Sequence, residues 1–312
     1  MPMLRISDVD NQPCLHGASS PLLPTLRHAL SLDDGPVTIM IHGFKYQPGA
    51  PGFCPHDGIF SRTPLTKTAR TVSWPRHLGL RGQKGEGLGI SFGWSARSNI
   101  WAAYDRAALA GQSLAQLVGH IHQLSPSRKV RLVAHSLGAR VALHTIRNSH
   151  TKTITHAVLL AAAEFGGPAR DALSCENGRA TQVLNVSSRE NDLYDFLLER
   201  LVKRSTSTEK ALGHGCTRLP NMATLQLDDP NSLSALKAAG YPIAKPQKRI
   251  CHWSPYLRPG VFPLYRAFLT GRLPLARLQA ILPSACEPRW SRLLPRQSNA
   301  QIRFSNRQQA SF

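Results

Sequence analysis

Five short apolar runs recur along the chain, with helix-patterned stretches between most of them. "VTIMI" at 37–41 is rich in β-branched side chains and shows no alternation, the composition of a strand buried on both faces. "GISFGW" at 89–94, "KVRLVAH" at 129–135, "HAVLLAAAE" at 156–164 and "TQVLNVSS" at 181–188 repeat that character. Between the second and third runs, Ile100, Tyr104, Ala107, Gly111, Leu114, Val118 and Ile121 fall at helical spacing, so an amphipathic helix starts near Ser98 or Asn99. A second helix is expected over 137–148, and "DLYDFLLERLVK" from Asp192 reads as a third. Strands alternating with helices make βαβ units, so the class is α/β, with a mostly parallel central sheet covered by helices on both faces.

Two stretches break the alternation: 45–88, rich in Gly and Pro, and 205–248, which holds one short helix near 231–239. Irregular insertions of that length tend to be functional loops, so both are expected to be lid-like. The domain is then bounded at 31–275, with an N-terminal arm over 1–30 and a basic, poorly ordered tail over 276–312.

Composition narrows the partners. At 42% hydrophobic and 18% charged residues, the chain can bury a full core. The longest apolar run, Ala157 to Ala163, is far short of the roughly 20 residues of a membrane span. Met1 to Asp10 lacks the pattern of a secretory signal, so a cytoplasmic location is expected. The formal charge of +20 raises the question of an anionic partner, but its distribution answers much of it. From Tyr241 onward twelve Lys or Arg face Glu287 alone, and a solvated tail accounts for this without a specific nucleic-acid or anionic-membrane contact. The six cysteines form no C-x-x-C pair, and His120 and His122 lie on different helix faces, so no metal site is expected. "GQKGEGLG" lacks the G-K-[ST] ending and the strand and helix that a phosphate loop requires.

The chemistry centres on Ala134-His135-Ser136-Leu137-Gly138, where a strand turns into a helix. Serine at such a turn can serve as an N-cap, or as a nucleophile presented on a sharp elbow with small residues two positions either side. Ala134 and Gly138 meet that steric demand, although Ala replaces the usual first Gly. With "IHGF" at 41–44, some ninety positions earlier, this elbow resembles the α/β-hydrolase superfamily, in particular its bacterial esterase-like and lipase-like members with an A-H-S-[LM]-G elbow. "FGW" and the helix containing "YDRA" are also similar to that branch.

The resemblance covers roughly Val37 to Thr270 and implies a serine hydrolase acting on a small-molecule acyl substrate through an acyl-enzyme, with no metal or organic cofactor. It implies the order Ser, acid, His. Ser136 is then the nucleophile, and only His214 and His252 follow the strand at 182–186. His252 is favoured because it lies past the last core element, whereas His214 sits inside the second insertion. Asp192 is the expected acid, with Glu190, Asp195 and the more distant Glu164 as alternatives. The oxyanion donors implied are the backbone amides of Phe44 and Leu137. His135 is read as packing. Ester, thioester, amide and lactone substrates remain open, as does a non-catalytic binding protein on the same fold that uses its basic surface.

Overall fold

The computed structural model describes residues 3–65, 68–149, 152–206, 208–214 and 217–283. Its eight strands are β1 (Met3–Val9), β2 (Gln12–Leu15), β3 (Val37–Ile41), β4 (Leu88–Gly93), β5 (Val130–His135), β6 (Ile154–Leu160), β7 (Gln182–Ser187) and β8 (Met222–Gln226). They form one sheet in the order β2-β1-β4-β3-β5-β6-β7-β8, parallel throughout except for the β1–β2 pair. All five predicted strands lie in it, and β3 is buried along its whole length.

The helices are α1 (Leu22–Ser31), α2 (Trp74–Leu78), α3 (Ile100–Leu124), α4 (Leu137–Asn148), α5 (Gly166–Ser174), α6 (Glu176–Arg179), α7 (Asp192–Leu201), α8 (Pro230–Ala238), α9 (Ser254–Leu257), α10 (Val261–Leu269) and α11 (Leu275–Ile281). Alternate strand residues feed two cores. Val37, Ile39, Leu132 and Leu159 meet α1, α3, α4, α5 and α7 on one face, while Met40, Val133 and Val158 meet α2, α8, α9, α10 and α11 on the other. Asn99 caps α3, its side chain accepting from the Ala102 amide at 2.9 Å, as the polar-to-apolar switch there predicts.

Three expectations about organisation change. The N-terminal segment is no separate arm. Asp10 and Asn11, at φ 50° and 62°, make the tight turn of a β1–β2 hairpin, and Leu4 and Ile6 enter the core beside β4. The stretch 205–248 contributes β8 and α8 to the fold, because Ala223, Leu225 and Leu236 have core positions to fill. At the other end α11 and Leu282 pack into the second core, so the domain runs past 275. The rest of the expected tail, 284–312, lies outside the described residues. The insertion 45–88 is irregular as expected, yet it is pinned to the sheet: the two ring nitrogens of His56 hydrogen-bond Ser91 Oγ at 2.8 Å and Ser7 Oγ at 3.1 Å.

Candidate active site

The carboxyl ends of β3, β5 and β7 converge on one crevice, the usual position of a ligand site in a parallel sheet. At the end of β5, Ser136 adopts φ 56° and ψ −126°, a conformation that costs a non-glycine residue about 1–3 kcal/mol. The turn is held from β6: the Ser136 amide donates to Leu160 O at 2.9 Å, and Ser136 O accepts from Ala163 N at 3.1 Å. The Ser136 side chain makes no capping hydrogen bond to α4, which removes the N-cap reading.

Steric demand around the elbow is explicit. A Cβ on Gly138 would lie 2.5 Å from His42 O and 2.7 Å from Ile41 O, both backbone atoms that cannot swing aside. Gly138→Ala is therefore expected to destabilise the fold by about 1–3 kcal/mol, read from the midpoint of urea unfolding. A Cβ on Gly43 would meet Ser136 Cβ at 2.6 Å, so that glycine makes room for the Ser136 side chain.

His252 lies in the same crevice, with Tyr194 stacked on its ring at 4.5 Å and the His135 ring at 4.6 Å. His135 does more than pack, because its Nε2–H donates to His252 O at 3.0 Å and fixes that backbone. The partner on His252 Nδ1 is Asn191 Oδ1, at 2.6 Å. Asn191 in turn donates from Nδ2 to Asp195 Oδ1 at 3.0 Å. This chain fixes its own protons. A carboxylate accepts only, so the amide nitrogen faces Asp195 and the amide oxygen faces the histidine. His252 must then carry its proton on Nδ1, which leaves Nε2 as a free base. Burial, with the nearby His135 ring, holds the His252 imidazole well below its ordinary 6.5, so it is neutral at pH 7. No hydrogen bond joins His252 to Ser136 Oγ, although both side chains line the one cavity.

Asp192, the acid expected from the sequence, is not the residue placed against His252. It is buried at the first position of α7 and does not line the cavity, because the preceding Asn191 occupies the turn that faces the imidazole. Asp195 stands one step behind, acting on Asn191. Glu190 is committed elsewhere: with 2% of its side chain exposed, it pairs with the buried Arg258, and its carbonyl accepts from Cys251 N at 2.9 Å. That pair anchors the loop carrying His252. Arg258→Met, which strands the Glu190 charge, should cost about 3–5 kcal/mol in urea unfolding, and adding Glu190→Gln should recover much of it. Glu164 is also structural, bonded at 2.5 Å to both Tyr104 Oη and Arg140 Nη1. His214 sits in a 3-10 turn over Leu212–His214 and does not line the cavity.

Phe44 and Leu137, whose amides are the expected oxyanion donors, line the same cavity as Ser136. Leu137 N–H is the first amide of α4, without an acceptor inside the helix. Phe44 N–H is aimed by a relay that the sequence did not reveal. Trp94 N donates to His42 Nε2 at 3.0 Å, so His42 carries its proton on Nδ1 and donates to Gly43 O at 2.9 Å. Burial lowers the His42 pKa to about 4, keeping that tautomer neutral. In a trans peptide the N–H points opposite to the C=O, so anchoring Gly43 O directs Phe44 N–H away from His42. "FGW" thus acquires a role: Trp94 also clamps His42 O through its indole N–H at 3.1 Å.

The crevice opens into a cavity of about 1110 Å³. Its walls are largely apolar, built by Phe53, Ile59 and Leu65 of the first insertion and by Leu197, Leu198 and Leu201 of α7. Among the described residues, the first insertion supplies wall residues and 205–248 supplies none. Among the described residues no three His, Cys, Asp or Glu side chains converge as metal ligands.

Residues 25–172, just under half of the chain, match the family described as alpha/beta hydrolase of unknown function (DUF900). That segment holds β3, Phe44, Ser136 and Leu137, but neither Asn191 nor His252. No curated protein matches the sequence. Two solved structures of phospholipase PlaB from Legionella pneumophila, one in complex with thio-NAD, align with 56% of this chain at 14% and 12% identity. Their TM-scores are 0.31 and 0.30, and the alignment spans only 43% and 44% of those chains.

Proposed function

We propose that this chain, whose fold is that of the α/β hydrolases, is a serine hydrolase cleaving carboxylic esters or related acyl compounds with an apolar acyl part. The observation that carries the reading is the directed chain Asp195–Asn191–His252, which ends in a free Nε2 inside the cavity that Ser136 lines.

In this mechanism Ser136 Oγ attacks the acyl carbonyl while His252 Nε2 takes its proton. The tetrahedral oxyanion lies between Phe44 N–H and Leu137 N–H, the second strengthened by the positive end of α4. The imidazolium returns the proton to the leaving oxygen, giving the alcohol and an acyl-Ser136 ester. Water, deprotonated by the same Nε2, then releases the acid. Asn191 holds the ring in the required tautomer, as amides do in Cys-His-Asn sites. Because an amide is uncharged, it lends the imidazolium less stabilisation than a carboxylate would, and Asp195 supplies part of the difference through the Asn191 dipole.

Treatment with a fluorophosphonate probe tests this directly. The expected result is a single adduct on the peptide containing Ser136, absent in Ser136→Ala. An unlabelled but folded wild-type protein would favour the binding-protein alternative.

A further inference from the structure

Among the described residues, eleven large apolar side chains are conspicuously exposed, and five of them stand at or beside the cavity mouth: Phe53, Leu65, Trp101, Leu197 and Leu201. Phe53, Leu65, Leu197 and Leu201 line the cavity itself. Trp101 follows the lining residue Ile100 and is tied to Leu201 O through its indole N–H at 2.5 Å. Leu65 is 80% exposed and Trp101 53%, a cost in water that one isolated side chain could carry but a cluster of five signals an interaction surface.

Cations stand over the aromatics of the same mouth. Lys45 lies 4.7 Å from the Phe44 ring, Arg70 3.8 Å from Trp253 and Arg97 3.8 Å from Phe53. Among the described residues, the two acids that line the cavity are already engaged: Asp57 is paired with Arg5, and Asp195 is buried behind Asn191. Aromatic and aliphatic tips surrounded by Lys and Arg match the boundary between acyl chains and anionic headgroups. No helix of the described residues is long and apolar enough to cross a membrane, so such a contact would be interfacial.

We infer that the mouth of the cavity is a docking surface for an anionic lipid bilayer, with Trp101, Leu197 and Leu65 entering the interface and Arg97 and Lys45 meeting the headgroups. The cavity then opens towards the bilayer, and its apolar walls accept an acyl chain without passage through bulk water. The docking stands on the surface alone. That a membrane-resident acyl ester is the substrate rests on the catalytic reading above.

The test is co-sedimentation of the full chain with phosphatidylcholine vesicles, with and without phosphatidylglycerol. Two variants are compared, Trp101→Ala and Arg97→Glu, and neither position lines the cavity. Wild type is expected to partition onto the phosphatidylglycerol vesicles, and each variant to lose roughly tenfold. Both variants should keep the wild-type circular-dichroism spectrum and urea midpoint, which shows that they fold. Equal binding by all three proteins would overturn the inference, because the net charge alone would then be the attraction, and so would failure of the wild type to bind. Vesicle binding needs no turnover, so an inert Ser136 leaves this result readable.

Discussion

Replacing Ser136 by alanine is expected to lower kcat/KM for an activated soluble ester by about four orders of magnitude or more, leaving only what binding and the oxyanion donors contribute. The size follows from the role: no other hydroxyl is presented by the elbow, and without Oγ there is no acyl-enzyme. Stability should respond differently. Alanine keeps a Cβ at φ 56°, so Ser136→Ala leaves the strained turn in place and the urea midpoint almost unchanged. Ser136→Gly removes the Cβ and should stabilise by about 1 kcal/mol while remaining inactive. An equilibrium unfolding series beside the kinetics checks both, and a Gly variant less stable than wild type would show that the turn stores no strain.

Asn191 carries the second large effect. Asn191→Ala removes the acceptor from His252 Nδ1–H, freeing the ring to rotate and to change tautomer, and kcat should fall by about 10²- to 10⁴-fold with little change in KM. Asn191→Asp is the sharper experiment because the sign of its pH effect is fixed. A carboxylate beside the imidazole favours the protonated ring, so the His252 pKa rises. In the wild type it lies well below 6.5, which places the acid limb of kcat/KM below that pH. In Asn191→Asp the limb moves to higher pH. The new carboxylate would stand against Asp195 where Asn191 Nδ2 now donates at 3.0 Å, so the two share a proton and part of the restored charge is lost. A pH–rate profile for the three proteins decides it, and an unmoved acid limb in Asn191→Asp would remove Asn191 from the site.

Much of this architecture is legible in the residues themselves. β3 to β7 announce themselves because a parallel strand covered on both faces needs a continuous apolar run, and α3, α4 and α7 because one face of each is periodic. The missed strands are those with weaker demands. β1 and β2 pair at an edge with polar residues among the apolar ones, and β8 is a five-residue strand inside a Gly- and Pro-containing segment. The elbow is legible because strand-turn-helix crowding forces small residues at 134 and 138, a constraint local in sequence. The Trp94–His42–Gly43 relay is not, since its hydrogen bonds span fifty-two positions.

By itself, the sequence determined the α/β class, the strand on which the candidate nucleophile stands, and the short set of histidines and acids eligible to serve it. Each of these follows from periodicity or chain order, which packing must obey. Tertiary structure decided the partners. Asn191 and Asp192 are neighbours at the start of one helix, and a single residue's rotation determines which faces His252. Beside the local Asp195, which orients the amide, contacts between distant parts of the chain fix this arrangement: Arg258 locked to Glu190 and His135 holding the His252 carbonyl, pairings that no local pattern encodes. Whether exposed leucines and phenylalanines scatter or gather was likewise settled only when α3, α7 and the first insertion met around one cavity mouth.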